Sequence, residues 1–431
     1  MQRQRMIKRK KHERGAVMEY GLIGERLGHS FSAVIHDMIG KYGYTLREIP
    51  RGGLESFVRE SNFLGLNVTI PYKQEIMPLL DEIDTAAKDI GAVNTVVRRG
   101  DKLYGYNTDF DGMCGLAKHA GVNMQGKKVL ILGTGGTSLT ARAVARSLGC
   151  REVYRVSRSG RDGAITYEKA YAEHGDADII INTTPCGMLP DIYSCPIRLE
   201  AFPRLSGVLD AIYNPLRTTL VQQAQSRGIP AEGGLYMLVC QAIAASELFT
   251  GEPAEDGIAE RIYSALLAEK ENIVLIGMPG CGKSTVGSAL TKQLGRKLID
   301  TDTMITEATG MTPSEIFGQE GESGFRCLES EAVRKASAET GCIIATGGGA
   351  VLRRENVDAL RKNGRLYYLD RGLESLIPTP DRPTASSAEA IRKRYEERHG
   401  IYESCADSRI CFSSPDEAVT QICRAHGLDI G

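Results

Sequence analysis

Tryptophan is absent from the 431 residues, no C-x-x-C pair occurs, and neither sign of charge dominates: the formal net charge is −1. No apolar run approaches the ~18 residues that a membrane-crossing helix needs, which excludes an integral membrane protein of that kind. A balanced charge supplies no long-range field for nucleic acid. The eleven cysteines, spread from Cys114 to Cys423, have neither zinc-site nor disulfide-framework spacing, so they read as reduced thiols of a cytoplasmic enzyme. The first 17 residues, MQRQRMIKRKKHERGAV, are basic and lack the apolar stretch of a secretory signal. They read as a disordered extension.

What the chain does have is glycine, 48 residues of it, within a composition 42% hydrophobic and 25% charged. A chain this long exceeds one ordinary core and predicts two or three domains. Short apolar runs such as KKVLILG (127–133), DADIIINTT (176–184), NIVLIG (272–277) and CIIATGGG (342–349) alternate with helix-period segments such as LTARAVARSLG. That alternation predicts an α/β protein with parallel, doubly wound sheets. Residues 251–271 read as a charged amphipathic helix in front of the last third, and the domain boundary is expected at a linker over 266–271.

Two glycine turns each end a strand and open a helix. In the first, Gly133 permits the turn, Gly135 and Gly136 let backbone approach a pyrophosphate, and Thr137 and Ser138 open the helix whose N-terminus attracts phosphate. After the next strand, where an NAD enzyme would place Asp or Glu, the chain reads Ser157-Arg158. A guanidinium there suits the 2′-phosphate of NADP. The second turn, GMPGCGKS (277–284), fits G-x-x-x-x-G-K-[ST]. Its Gly280, Cys281 and Gly282 wrap phosphates with backbone N–H groups. Lys283 neutralises the β/γ oxygens, and Ser284, followed by Thr285, can ligate Mg²⁺.

Beyond these loops, YGLIGERLGHSFSAVIH, GLNVTIPYK, GAVNTVV, GYNTDFDG, NTTPCGM, DAIYNP and EGGLYMLVCQA occur in an order that resembles shikimate dehydrogenase over residues 18–265. The resemblance implies a substrate-binding part over about 18–115 and 240–265 around a Rossmann NADP domain over about 116–239. It implies Lys73 as proton donor, with Asp109 orienting it. Ser30, Ser32, Asn67, Thr69, Asn94 and Gln241 become binders of the substrate hydroxyls and carboxylate, and Tyr213 a further one. Gly234 joins the NADP set, while His29 and His36 read as structural. Glu25 and Ala33 depart from the prolines the family often carries, and Ser157 from its Asn.

From 272 onward LIDTDTMI, EIFGQEGESGFRCLE, ATGGGAV, DRP and RYEERHGIY resemble shikimate kinase, a P-loop domain with a parallel sheet. The resemblance implies Asp300 as support for Mg²⁺ and Asp302 as the base on the substrate hydroxyl. Arg326 and Arg398 become clamps on a carboxylate, Gly347, Gly348 and Gly349 bare backbone against the ring, and Arg382 a lid residue. Thr384 and Ala385 replace the family's leucines. The chain is thus expected to reduce 3-dehydroshikimate with NADPH and phosphorylate shikimate with ATP, in two halves, 18–265 and 271–431, that fold and work separately. Two other readings stay open: a quinate-type dehydrogenase joined to another small-molecule kinase, and a regulatory protein built from such domains.

Overall fold

A computed structural model describes residues 18–27, 31–376 and 388–428. Ser30, Arg382 and the basic extension 1–17 lie outside them. The chain divides into two compact units. The first comprises residues up to Thr184 with Leu199–Ala211 and Gly234–Ile262; the second comprises Pro185–Arg198, Ile212–Gly233 and Tyr263–Gly431.

The first unit contains a six-stranded sheet in the spatial order Thr45–Glu48, Tyr20–Gly24, Gly65–Val68, Thr95–Arg99, Lys102–Tyr106, Glu82–Ile83. Its first three strands are parallel, but Gly65–Val68 pairs antiparallel with Thr95–Arg99, which pairs antiparallel with Lys102–Tyr106. The expectation of purely parallel sheets therefore fails here. A two-residue loop, Gly100-Asp101, joins the last two strands, and Gly100 takes the positive φ of 61° that such tight hairpin turns require. Ile23, Leu66, Val68, Val96, Phe63 and Tyr72 form the core beneath this sheet.

Four strands of a second sheet lie in the same unit in the order Gly207–Asp210, Ile179–Asn182, Lys128–Leu132, Glu152–Val156, parallel to one another. The middle strands are buried along their whole length, as expected where helices cover both faces. Asn182-Thr183-Thr184 ends one of them, and Thr183 Oγ1 donates to Leu132 O at 2.6 Å. A Cβ on Gly133 would stand 2.7 Å from that hydroxyl, so the NTT sequence packs directly under the glycine turn and requires a glycine there.

In the second unit five parallel strands follow the order Leu298–Asp300, Ile343–Ala345, Asn272–Ile276, Gly364–Asp370, Ser408–Cys411. The strand that opens into GMPGCGKS is central, and every residue in it is buried. The helix Lys283–Leu294 follows and ends on Gly295 at φ 68°, a left-handed C-terminal cap. Thr312 and Glu315 form a capping box at the start of Pro313–Ser337.

Residues 266–271, expected as a linker, are helical to Lys270 within Ile258–Lys270. Leu266 and Glu271 are fully buried, so this segment is packed into the fold and continues the amphipathic helix expected over 251–271. Nor do the compact units follow the expected halves, because segments 185–198 and 212–233 group with the C-terminal residues. Within that unit Glu271 pairs with Arg217 at 2.5 Å and Arg365 at 3.2 Å. Leu216 N–H donates to Asn363 Oδ1 at 2.9 Å, and Lys362 Nζ donates to Thr219 Oγ1 at 2.7 Å.

Candidate functional site

In the first unit the strand Gly65–Val68 delivers the chain to a turn that carries Lys73, whose carbonyl accepts from Val93 N–H at 2.8 Å. Asp109 is the first residue of the helix Asp109–His119, where a carboxylate is favoured by the helix dipole. Lys73 Nζ lies 2.5 Å from Asp109 Oδ2, with side chains only 17% and 10% exposed. Asn94 Nδ2 donates to the other oxygen, Asp109 Oδ1, at 3.0 Å. The Asp109 carboxylate is thereby fixed at both ends, and among the described residues it is the hydrogen-bond partner of the Lys73 ammonium.

Asn94 is itself fixed. Thr108 N–H donates to its Oδ1 at 2.7 Å, which identifies that atom as the oxygen. Thr95 Oγ1 donates to the same oxygen at 3.1 Å and accepts from Asn67 Nδ2 at 3.0 Å. Asn67, Thr95, Asn94, Asp109 and Lys73 thus form one continuous hydrogen-bonded series. Gln241 is buried on the helix Leu235–Thr250, its amide donating to Leu238 O at 2.9 Å. A Cβ on Gly112 would meet Met237 O at 2.6 Å and Gln241 Cβ at 3.0 Å, so two helix backbones touch and Gln241 is seated against the helix that Asp109 opens. Thr69 packs its methyl on Gly24, and Ser32 is buried at the start of Ser32–Ile39. Tyr213 belongs to the second unit, half-buried, its hydroxyl pKa raised by burial.

The glycine loop lies beside this pair. Among the described residues, and chain neighbours apart, no atom would come within 4 Å of a Cβ on Gly135, and on Gly136 Lys73 Cδ would lie at 4.0 Å. Open space at the N-terminus of Gly136–Ser147 is what a pyrophosphate and its neighbouring groups require. Thr137 is half-buried, and Ser138 is fully buried, donating to Gly135 O at 2.6 Å, so it braces the turn. Gly234 approaches Ala211 O so closely that a Cβ would lie 2.2 Å away. Ser157 Oγ accepts from Gly160 N–H at 3.1 Å, shaping the turn that leaves Arg158 exposed. Arg142, lowered in pKa by burial and then by the charges of Arg155 and Arg146, adds positive field to this unit that the sequence reading missed.

In the second unit Lys283 is buried, its ammonium donating to Gly277 O and Met278 O at 2.9 Å each. Gly277, Gly280 and Gly282 take φ of 146°, 80° and 96°, values that any other residue would adopt only under strain. Cys281 is buried inside the loop, whereas Ser284 and Thr285 are exposed. Ser284 Oγ donates to Asp300 Oδ2 at 2.9 Å, and Asp300 Oδ1 accepts from Asp302 N–H at 3.0 Å and Thr303 N–H at 3.3 Å. Asp300 is therefore both the N-cap of Thr301–Thr309 and the neighbour of the loop serine. Two hard oxygens at this spacing fit Mg²⁺, which takes few protein ligands and leaves room for water and phosphate.

Asp302, Glu329 and Gly347 converge: a Cβ on Gly347 would meet Glu329 Oε1 at 2.6 Å and Asp302 Oδ1 at 2.7 Å. Arg326 lies against Gly349, where any Cβ would overlap its guanidinium. Gly348 O accepts from Arg398 Nη1 at 3.4 Å and from the Tyr402 hydroxyl. The sequence reading missed Glu329, which is buried and bonds Arg326 Nη1 at 2.6 Å. Its pKa is raised, chiefly by burial, with the Asp302 charge contributing. Its i, i+3 spacing from Arg326 puts both on one helix face, a signal that was available.

Residues 22–96 match the family model for the shikimate dehydrogenase substrate binding domain, and residues 279–426 match that for shikimate kinase. The chain is 35% identical over 267 residues to a shikimate dehydrogenase (NADP(+)) from Clostridium perfringens, covering 57% of this chain and 97% of that protein. It is similar to the crystal structure of shikimate dehydrogenase 1 from Peptoclostridium difficile, with TM-score 0.53 and 36% identity over 57% of this chain and 97% of the other. A chorismate mutase/shikimate 5-dehydrogenase fusion protein from Clostridium acetobutylicum gives TM-score 0.54 at 34% identity, over 58% of this chain and 97% of that one.

Proposed function

We propose, for a chain that belongs to the shikimate dehydrogenase family and continues into a shikimate kinase domain, two successive reactions on one carbocycle. The chain is a bifunctional enzyme of the shikimate pathway. Its residues 18–265 are assigned the NADPH-dependent reduction of 3-dehydroshikimate to shikimate. Residues 272–431 are assigned the ATP- and Mg²⁺-dependent phosphorylation of shikimate to shikimate 3-phosphate. A cytoplasmic enzyme acting on small molecules, without nucleic acid or membrane, is part of the same proposal. The observation that carries it is the Lys73–Asp109 ion pair at 2.5 Å, with Lys73 Cδ 4.0 Å from where a Cβ on Gly136 of the glycine loop would stand.

NADPH, when bound, supplies hydride to the ring ketone. Lys73 then donates a proton to the forming alkoxide, Asp109 keeps the ammonium aimed, and Asn67, Thr69, Asn94, Ser32 and Gln241 hold the ring's polar groups. Ser30 is assigned to the same set. In the kinase, Mg²⁺ held by Ser284 and Asp300 supplies charge neutralisation along the phosphates. Lys283 exchanges its loop carbonyls for phosphate oxygens. Arg326 and Arg398 grip the substrate carboxylate with planar guanidinium groups, and Asp302 takes the hydroxyl proton. Glu329 holds Arg326 in place, and Arg382 is assigned to the transferring phosphate.

The test is a coupled assay with 3-dehydroshikimate, NADPH, ATP and Mg²⁺. Shikimate and then shikimate 3-phosphate are expected to accumulate in sequence. Turnover of quinate-type substrates alone, or no turnover, would reject the reading. For the cofactor, Arg158→Ala is expected to lower kcat/KM for NADPH about ten- to a hundred-fold while leaving NADH use nearly unchanged, the range a lost charge-assisted hydrogen bond gives. Equal losses with both cofactors would show that Arg158 does not read the 2′-phosphate.

A further inference from the structure

Tyr44 lies outside every motif that carried the functional reading, in the turn before the strand Thr45–Glu48. Its hydroxyl is 2.7 Å from Asn67 Oδ1. The direction of this bond follows from the neighbours of Asn67. Asn67 Nδ2 faces the carbonyl oxygen of Asn94 at 3.4 Å, an acceptor only, and Thr95 Oγ1 at 3.0 Å. Thr95 Oγ1 gives its own hydrogen to Asn94 Oδ1 at 3.1 Å, so it accepts from Asn67. Both amide hydrogens of Asn67 are thereby directed inward, its oxygen faces Tyr44, and the tyrosine hydroxyl is the donor. The buried His36 ring also hydrogen-bonds the Asn67 side chain.

The phenol is itself clamped. His36 is completely buried, and its ring stacks on Tyr44 with centroids 3.8 Å apart and planes at 13°. His36 Nδ1 bonds the Tyr42 hydroxyl at 2.8 Å. Burial lowers the His36 pKa to about 3, so the ring against Tyr44 stays neutral and adds no titrating charge near neutral pH.

We propose that Tyr44 is a positioning residue of the reductase: its hydroxyl locks the Asn67 amide in the orientation in which Asn67 meets the substrate. The inference rests on the assignment of Asn67 as a substrate contact. Through Thr95 and Asn94 the same series reaches Asp109 and Lys73, so one lock orients the binding amide and belongs to the network that holds the proton donor.

The experiment compares Tyr44→Phe, Asn67→Ala and the double variant in the full chain, with kinase activity and melting temperature as checks on folding. Phenylalanine keeps the stacking ring and removes only the hydroxyl. Tyr44→Phe is expected to raise KM for 3-dehydroshikimate about 3- to 10-fold, the range for one hydrogen bond, with kcat and KM for NADPH within about 2-fold. In the Asn67→Ala background it should add less than about 2-fold, because a residue acting through Asn67 has nothing left to act on. An unchanged KM in Tyr44→Phe, while Asn67→Ala raises it, overturns the inference and spares the site assignment. An equal rise in both backgrounds also overturns it, making Tyr44 a direct contact. If Asn67→Ala itself leaves KM unchanged, the assignment of Asn67 falls and the inference with it.

Discussion

Lys73→Ala is expected to lower reductase kcat by about 10²–10⁴-fold, the usual worth of a positioned general acid, with kinase turnover in the same chain unchanged. The Lys73 side chain is 17% exposed and its ammonium bonds the Asp109 carboxylate at 2.5 Å. The same side chain places its Cδ 4.0 Å from where a Cβ on Gly136 of the nucleotide loop would stand. Alanine removes the proton source while Asp109 keeps its bond from Asn94 Nδ2 at 3.0 Å, so the carboxylate stays oriented and the loss falls on the chemical step. Stopped-flow oxidation of NADPH at saturating substrate isolates that step, and kinase turnover in the same sample reports on folding. A kcat within a few-fold of the parent would mean that the proton reaches the alkoxide from another group.

For the kinase, Asp302→Asn is expected to cut kcat by about 10²–10⁴-fold, a base being worth as much as an acid, with reductase turnover preserved. Asp302 and Glu329 bring their oxygens to the same face of Gly347. The two carboxylates are not equivalent. Glu329 is almost fully buried and committed to Arg326, and burial raises its pKa. Asp302 sits in the first turn of Thr301–Thr309, with its backbone N–H given to the Asp300 cap. Asparagine preserves shape and removes the basic lone pair. Chemical quench of the first turnover separates this loss from product release, and a burst of parental rate would remove Asp302 from the role of base.

Both nucleotide loops could be read from the sequence, because their requirements are local. A strand, glycines at positive φ and a helix N-terminus follow one another within a dozen residues, and Gly133, Gly277, Gly280 and Gly282 adopt such φ values. The NTT and TGGG sequences were found by resemblance, and packing supplies their reason. Thr183 fills the space under Gly133, and Gly347 and Gly349 leave room for Asp302, Glu329 and Arg326. Glu329 was missed although its spacing from Arg326 was visible, because a glutamate on a charged helix is by default a solvated one.

By itself, then, the sequence determined the α/β class, the strands that enter each phosphate loop, and the residue types able to move a proton or hold a phosphate. Those follow from periodicity and from conformations that only glycine adopts easily. Tertiary structure alone decided which of those residues meet. The hairpin through Gly100 turned a sheet expected to be parallel into a mixed one. The series from Tyr44 through Asn67, Thr95 and Asn94 to Asp109 and Lys73 joins residues up to 65 positions apart. The burial of Glu271 between Arg217 and Arg365 drew residues 212–233 into the compact unit of the C-terminal strands. Such pairings depend on side-chain direction across strands and helices distant in the chain, and a charged residue's sequence neighbours do not reveal whether water or a buried partner will solvate it.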